Sequence, residues 1–149
     1  NEFGHPEWID FPRQGNGWSY KYATRKWSLA DNNLLRYSSL LQFEKNMIKL
    51  FKENDILKYR PVSIYNDVEK QVMAFKRGDY IFVFNFSPLK SYTDYTLYGI
   101  KDGDYRVVLD TDWKEFGGFE RNNRDFKYKV SNGKFEIYVP SRCGLVYKM

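Results

Sequence analysis

The clearest structural signal in this chain lies in residues 126–139, which run Phe126-Lys127-Tyr128-Lys129-Val130-Ser131-Asn132-Gly133-Lys134-Phe135-Glu136-Ile137-Tyr138-Val139. Apolar and polar side chains alternate on both sides of Asn132-Gly133, as in β-strands that are buried on one face. Both central residues of a type I′ turn need a positive φ angle, and Asn followed by Gly meets this need at low cost. The sequence therefore predicts a β-hairpin with strands at 126–130 and 134–139.

The same alternation extends outward from this stretch and covers the chain from Val62 to the C-terminus. Short runs of aromatic and β-branched residues are separated by turn residues such as Arg77-Gly78-Asp79 and Lys101-Asp102-Gly103-Asp104. This pattern predicts a mainly β fold, namely an antiparallel β-sandwich. The other predicted strands cover residues 62–65, 70–75, 80–86, 94–98, 105–110 and 145–148.

One helix is predicted before the strands, over residues 32–54 approximately. Asp31-Asn32-Asn33 offers an N-cap, and no Gly or Pro interrupts the segment from Leu34 to Asn54. The change of period divides the chain into residues 1–57, an irregular loop plus this helix, and residues 58–149, an all-β domain. Apolar residues recur on one face of the helix: Leu40, Phe43, Met47, Leu50 and Phe51.

Aromatic residues crowd the irregular N-terminal segment, where no periodicity assigns them to a core. Flat rings with a polar edge suit sugars, whose C–H faces stack while their hydroxyl groups form hydrogen bonds. The alternative is packing against a neighbouring domain, which would leave an apolar patch on the isolated chain. The candidate substrate-binding residues are Glu7, Trp8, Trp18, Tyr20, Tyr92 and Tyr95. Strand aromatics that alternate are otherwise expected in the core or in cross-strand pairs: Phe82, Phe84, Phe86, Tyr92, Tyr95, Tyr98, Phe135 and Tyr138.

Composition excludes several classes of function. The chain has 149 residues and a net charge of +5, but basic residues are interleaved with acids, which argues against nucleic-acid binding. No apolar stretch approaches the roughly 20 residues that span a membrane. One histidine and one cysteine cannot build the Cys/His clusters that hold structural zinc or iron–sulfur centres, nor an internal disulfide. Gly15-Asn16-Gly17 lacks the strand that precedes a phosphate-binding loop. We therefore expect no metal, no cofactor, no membrane partner and a cytoplasmic location.

Three carboxylates, Glu2, Glu7 and Asp10, lie close together in the sequence, with His5 between them. Glycoside chemistry needs two carboxyl groups at a defined distance, which spacing along a loop does not fix. Solvated or loop-structuring carboxylates are therefore the alternative. His5 has no neighbouring nucleophile motif and is expected to be a structural, hydrogen-bonded residue. Cys143, beside the last strand, is expected to be a free buried thiol.

The first thirteen residues, Asn1-Glu2-Phe3-Gly4-His5-Pro6-Glu7-Trp8-Ile9-Asp10-Phe11-Pro12-Arg13, are followed by Gly15-Asn16-Gly17-Trp18-Ser19-Tyr20. This segment resembles the loop after the last strand of the catalytic (β/α)8 barrel in eukaryotic-type 1,4-alpha-glucan branching enzymes, the glycogen and starch branching enzymes. Later stretches resemble that family's C-terminal all-β domain, in the same order: Phe82-Val83-Phe84-Asn85-Phe86-Ser87, Ser91-Tyr92-Thr93-Asp94-Tyr95, Val108-Leu109-Asp110-Thr111-Asp112, Glu115-Phe116-Gly117-Gly118 and Val139-Pro140-Ser141-Arg142.

The resemblance implies a C-terminal fragment of an enzyme that cleaves α-1,4-glucan and transfers the cut chain to a 6-hydroxyl group, forming α-1,6 branches. The start at Asn1, without an initiator methionine, also leads us to expect a fragment. In that family the catalytic Asp, Glu and Asp lie upstream of the Asn-Glu-Phe-Gly motif, so the resemblance implies no catalytic residue in this chain. It also implies that residues 1–57 end the barrel and that residues 58–149 form the Greek-key alpha-amylase C-terminal all-β domain.

The partners implied by the resemblance are α-glucan and the rest of the catalytic barrel. Two other classes of function stay open: a stand-alone glucan-binding module and a purely structural sandwich. The apolar helix face that would meet the barrel must pack on the β domain or on another copy of the chain. We therefore expect a dimer through Leu40, Phe43, Met47 and Leu50 if the β domain leaves them uncovered.

Overall fold

The computed structural model describes residues 2–5 and 9–149. Within them, two α-helices, α1 (Ser28–Asp31) and α2 (Tyr37–Glu53), precede eight strands. Every predicted strand is present, and its ends differ from the prediction by no more than two residues. The strands are β1 (Val62–Asp67), β2 (Val72–Arg77), β3 (Tyr80–Asn85), β4 (Tyr92–Tyr98), β5 (Gly103–Asp110), β6 (Tyr128–Val130), β7 (Lys134–Val139) and β8 (Cys143–Lys148).

Two antiparallel sheets enclose the core. Six strands form one sheet in the order β1-β2-β3-β8-β5-β6, and β4 pairs with β7 in the other. Aromatic rings join the sheets in the core, where the ring of Phe135 in β7 lies 5.0 Å from that of Tyr147 in β8. The predicted mainly β, antiparallel fold is confirmed.

The central strand β3 departs from simple alternation because both of its faces are covered. Residues Tyr80 to Val83 are buried in succession. On the outer face of the sheet, Phe51 of α2 packs with its ring 5.7 Å from that of Phe82. Phe82 also stacks on Phe75 of β2 at 4.8 Å. The helix therefore forms a third layer over the centre of the larger sheet.

The Asn132-Gly133 turn has the predicted backbone, with φ angles of 54° and 71°. Ser131 and Lys134 exchange backbone hydrogen bonds across it. The two strands then part, because β6 pairs with β5 in the larger sheet and β7 pairs with β4 in the smaller one. The hairpin prediction is thus correct for the turn, but the turn serves as a corner where the chain crosses between sheets.

Helix α2 begins at Tyr37, later than predicted. Asp31 ends the short helix α1, which the sequence did not predict, and the Asn32 side chain accepts a hydrogen bond from the Leu34 N–H at 2.9 Å. Asn32 therefore forms a local turn instead of an N-cap, because its side chain is equally suited to both. Among the described residues, no helix is long and apolar enough to cross a membrane.

The apolar face of α2 packs on the β domain of the same chain. Phe43, Met47 and Leu50 all contact the core, and the ring of Phe43 lies 5.4 Å from that of Phe116. Leu40 differs from these three and is 45% exposed. Of the four side chains expected to form a dimer, three are therefore engaged within the chain. The division of the chain after residue 57 stays a prediction.

Two strand aromatics expected in the core or in cross-strand pairs are exposed, and one of them, Tyr98, is paired with Lys134 of β7. Phe86 follows the end of β3 at Asn85, where the sheet no longer covers it. Tyr98 ends β4 and points away from the buried side of Leu97, its neighbour. Neither ring lies in the core, because alternation predicts which face a residue takes, but does not predict whether another layer covers that face.

Cys143 is a free, buried cysteine in β8, as predicted. Burial raises the pKa of its thiol to about 11, although the nearby Arg121 guanidinium acts in the opposite direction. Since the thiolate is the reactive form, we expect the folded chain to react with an aromatic disulfide reagent about 100-fold more slowly at neutral pH than the urea-unfolded chain. Stopped-flow absorbance measures both rates, and equal rates would contradict this prediction.

Candidate functional site

The N-terminal segment is organised by a hydrogen-bond network around Asp10. Its carboxylate accepts hydrogen bonds from Arg13 Nε at 2.9 Å and from Asn16 Nδ2 at 3.1 Å. The Asn16 Oδ1 atom in turn accepts from the backbone N–H groups of Arg13 and Ser19. The hydrogen bond from Arg13 is the largest cause that lowers the pKa of Asp10. Asp10 is therefore an ionised carboxylate that structures the loop.

Two of the predicted sugar-contact residues project from this loop. Trp18 is 67% exposed and Tyr20 is 72% exposed. The backbone of Trp18 has a left-handed conformation with a φ of 58°, and its N–H donates to the Arg13 carbonyl oxygen at 3.0 Å. Phe11 and Tyr22 add further exposed rings to the segment. Such rings on a pre-organised backbone lose little conformational entropy when a ligand binds.

Phe3 anchors the start of the segment in a small aromatic cluster. It is fully buried, with its ring 5.6 Å from His5, 5.0 Å from Trp27 and 6.4 Å from Tyr37. The Nε2 atom of buried His5 accepts a hydrogen bond from the Lys26 N–H at 3.1 Å, which places the ring proton on Nδ1. His5 therefore has a structural role, and Tyr37 connects the cluster to α2.

Tyr92 and Tyr95 belong to a second aromatic group, near Tyr65 of β1. The ring of Tyr95 lies 5.9 Å from that of Tyr92 and 6.0 Å from that of Tyr65. Tyr95 is only 6% exposed, and burial is the largest cause that raises the pKa of its hydroxyl group. The Tyr92 hydroxyl donates to the Lys70 carbonyl oxygen at 3.0 Å. Tyr65 and Tyr92 thus offer the accessible ring area, and Tyr95 supports them from the core side.

The structure brings the candidates together in two separate groups. Within the described residues, no ring contact joins Trp18 or Tyr20 to Tyr92 or Tyr95. Glu7 and Trp8 lie outside the described residues, so their roles stay predictions.

The other N-terminal carboxylate, Glu2, lies 3.6 Å from the Arg25 Nε atom. Like Asp10, it is therefore paired with an arginine. The part of the chain that the structure describes holds no group of three or more His, Cys, Asp or Glu residues suited to a metal ion.

Sequence patterns did not reveal a buried polar network at the end of β5. Asp112 is 3% exposed and accepts hydrogen bonds from Arg121 Nε at 2.9 Å and Arg121 Nη2 at 3.1 Å. The backbone N–H groups of Phe119 and Arg121 also donate to it. Asp110 accepts hydrogen bonds from the Asp112 N–H and the Asn122 side chain. The signal in the sequence is a pair of aspartates at the end of a buried strand, Asp110 as its last residue and Asp112 two residues later.

Comparison with protein families gives a match between residues 64–149 and the family described as "Alpha amylase, C-terminal all-beta domain". The match begins within β1 and includes every later strand of the described chain. This chain belongs to the alpha-amylase C-terminal all-beta domain family. A solved alpha-amylase from H. orenii has the same fold: the TM-score is 0.53 at 15% identity, over 87% of this chain and 23% of that chain.

The similarity extends N-terminally beyond the alpha-amylase C-terminal all-beta domain. The chain is 42% identical to the 1,4-alpha-glucan-branching enzymes of Felis catus and Saccharomyces cerevisiae and 40% identical to that of Solanum tuberosum, over 98% of its length in each comparison. It spans only 22%, 22% and 18% of the lengths of these proteins. The predicted resemblance to part of a branching enzyme is confirmed, and it includes the loop that carries Trp18 and Tyr20.

Proposed function

We propose that this chain is the C-terminal part of a 1,4-alpha-glucan branching enzyme that acts on glycogen or starch. The complete protein would cleave an α-1,4-glucan and transfer the cut chain to a 6-hydroxyl group through a covalent glycosyl intermediate. The observation that carries the proposal is the similarity to branching enzymes over nearly the whole chain, through both the aromatic loop and the β domain. This chain supplies no catalytic carboxylate in our proposal.

The contribution of the chain itself is to support the catalytic barrel and to extend its glucan contacts. Two observations favour this division of roles. The Asp10 network links Arg13 and Asn16 across the loop by hydrogen bonds, and the rings of Trp18 and Tyr20 are exposed on that loop. The β domain, in contrast, packs most of its aromatic residues in its core or against it, as a supporting domain does.

Branch formation tests the proposal directly. The complete protein that contains this chain is incubated with linear amylose, and the chain lengths of the product are measured before and after digestion with a debranching enzyme. We expect new α-1,6 linkages with the complete protein and none with the 149-residue chain alone. A complete protein that only shortens amylose, or leaves it unchanged, would overturn the proposal.

Glucan contact is tested on the chain itself by electrophoresis in gels with and without amylopectin. We expect amylopectin to retard the chain, and Trp18→Ala to weaken this binding about tenfold, because an aromatic anchor is worth more than about 1 kcal/mol at a contact. Tyr98→Ala is the matched control, since Tyr98 is equally exposed but lies at the end of β4. Equal retardation of the wild type and Trp18→Ala would place the contact elsewhere.

The proposal has two further parts, a cytoplasmic location and self-association. The location follows from a single free, buried cysteine, which is suited to a reducing compartment. Self-association would use Leu40 with the exposed Leu34 and Ile48, since Phe43, Met47, Leu50 and Phe51 pack against the core of the same chain. We expect Leu40→Asp to abolish any dimer seen by light scattering, and a wild-type monomer at all concentrations would refute this part.

A further inference from the structure

The Asn132-Gly133 turn joins the two sheets and carries the residue pair most prone to spontaneous deamidation. In this reaction the backbone nitrogen of the glycine attacks the side-chain Cγ of the asparagine, a C–N bond forms, and the amide nitrogen leaves as ammonia. Water then opens the succinimide ring at either carbonyl group and leaves aspartate or isoaspartate. Glycine favours the attack because it has no side chain to hinder it.

Both backbone N–H groups of this turn are bound by one carboxylate. Asn132 N–H donates to Asp102 Oδ2 at 3.0 Å, and Gly133 N–H donates to Asp102 Oδ1 at 2.8 Å. The attacking species is the Gly133 nitrogen after it has lost its proton. A hydrogen bond to a carboxylate holds that proton in place, and the adjacent negative charge disfavours the deprotonated nitrogen.

We propose that Asn132 is a deamidation site and that the Asp102 carboxylate holds it in an unreactive state. The inference is independent of glucan binding and branching. Within the described residues, no hydrogen bond restrains the side-chain amide of Asn132, so the protection acts on the nucleophile and not on the group that is attacked.

The second Asn-Gly pair of the sequence, Asn16-Gly17, is protected in the opposite way. The Asn16 amide nitrogen donates to Asp10 and to the Phe11 carbonyl oxygen, and its oxygen accepts from two backbone N–H groups. The Gly17 N–H donates only to a neutral carbonyl oxygen, that of Gln14, at 3.1 Å. This pair therefore provides an internal reference that does not depend on Asp102.

Deamidation at Asn132 would loosen the corner between the sheets. Isoaspartate adds a carbon to the main chain and no longer fits a turn with two successive positive φ angles. Among the described residues, the Ser131–Lys134 bridge is the one backbone pairing between the two sides of this turn before β6 and β7 enter different sheets. Slow deamidation at Asn132 would therefore weaken the packing of the two sheets against each other.

The test compares the wild-type chain with Asp102→Ala and with Asp104→Ala. Asp104 is a matched control because it is an exposed acid in β5 opposite Lys129, and the backbone N–H groups of the turn donate to Asp102 instead. Asparagine is avoided at 102 because Gly103 would follow it and create a new deamidation site.

Each protein is incubated in mildly alkaline buffer and then digested with trypsin, which cuts after Lys129 and Lys134. Mass spectrometry measures deamidation of Asn132 in peptide 130–134 and of Asn16 in peptide 14–21.

We expect Asp102→Ala to deamidate peptide 130–134 about tenfold faster than the wild type, the effect of losing one charged hydrogen bond. Asp104→Ala should match the wild type, and peptide 14–21 should be unchanged in all three proteins. An unchanged rate in folded Asp102→Ala, or equal acceleration of both peptides, would overturn the proposal. If Asp102→Ala does not fold, the wild type decides: peptide 130–134 must deamidate about tenfold more slowly in the folded chain than in urea, and equal rates refute the proposal.

Discussion

Replacing Asp112 with asparagine is expected to lower the free energy of unfolding by about 3 kcal/mol, because the change removes the buried member of an ion pair and leaves the partly buried Arg121 without its counter-charge. Arg121 would lose the charge that it contacts through Nε and Nη2. It would keep only neutral acceptors, the Ser141 oxygens and the Cys143 sulfur. The loop that contains Phe119 also depends on Asp112, because the Asp112 carboxylate accepts a hydrogen bond from the Phe119 N–H. Urea unfolding followed by tryptophan fluorescence measures the change.

Asp110→Asn is the matched control for this prediction. Asp110 is also buried, but burial raises the pKa of its carboxyl group, so the fold favours the charged form of Asp110 less than water does. Asparagine can still accept the hydrogen bond from the Asp112 N–H. We therefore expect a loss below about 1 kcal/mol, the value of one neutral hydrogen bond. Equal losses of unfolding free energy in the two variants would show that the Asp112–Arg121 pair contributes no more to stability than the hydrogen bonds of Asp110.

The effect of Asp112→Asn should also depend on pH in a defined direction. Burial alone would raise the pKa of Asp112, but hydrogen bonds from the Arg121 side chain and from backbone N–H groups outweigh it and lower the pKa. A group with a lowered pKa in the folded state contributes stability above its unfolded value of 3.8, and this stability is lost as the pH falls through the lower folded value. The difference between wild type and variant should therefore shrink in acid, and a constant difference would contradict the assignment.

The strands could be predicted because their signal is local. Residues 134–139 alternate in burial as they alternate in polarity, so the predicted strand has the observed bounds. The turn at Asn132-Gly133 was predictable for the same reason, since its φ angles depend on the two residues in it. The pairing of β6 with β5 was not, because it depends on which distant strand is available.

The start of α2 and the packing of α2 on the larger sheet also depend on contacts that are distant in the sequence. Asn32 suits both a helix N-cap and a local turn, and the structure uses the turn. Phe82 and Phe86 share one pattern in the sequence, but α2 covers only the first. Tertiary packing determines both the conformation at Asn32 and which of the two rings is covered.

The candidate site was predictable only in part. The aromatic loop was recognisable from composition, and the structure exposes Trp18 and Tyr20 on it, while their contact with a sugar stays a prediction. The same reasoning did not separate Tyr92 from Tyr95, of which the second is buried. The Asp112–Arg121 pair was missed because its members are brought together by the fold of a loop, through a turn at Gly117 and Gly118.

Replacing Gly118 with alanine is expected to destabilise the chain by about 3 kcal/mol, the upper range for overpacking. A Cβ atom at this position would lie 2.1 Å from the Asp112 carbonyl oxygen and 2.4 Å from the Asp112 Cα atom. These are backbone atoms and cannot move aside as a flexible side chain would. The same carbonyl oxygen accepts the Glu120 N–H at 2.8 Å, so a shift would also break that hydrogen bond.

Gly99→Ala separates this steric effect from the cost of backbone conformation. Gly99 has a positive φ of 73°, but a Cβ atom added there would meet no atom within 4 Å, so the variant should lose about 1 kcal/mol through conformation alone. Gly118 has the reverse combination, a crowded position without a positive φ. A larger loss for Gly118→Ala than for Gly99→Ala in urea unfolding would therefore assign the effect to the close approach of Gly118 to Asp112. The Asp112 carboxylate would then be displaced from Arg121, so Gly118→Ala combined with Asp112→Asn should cost less than the sum of the two single losses.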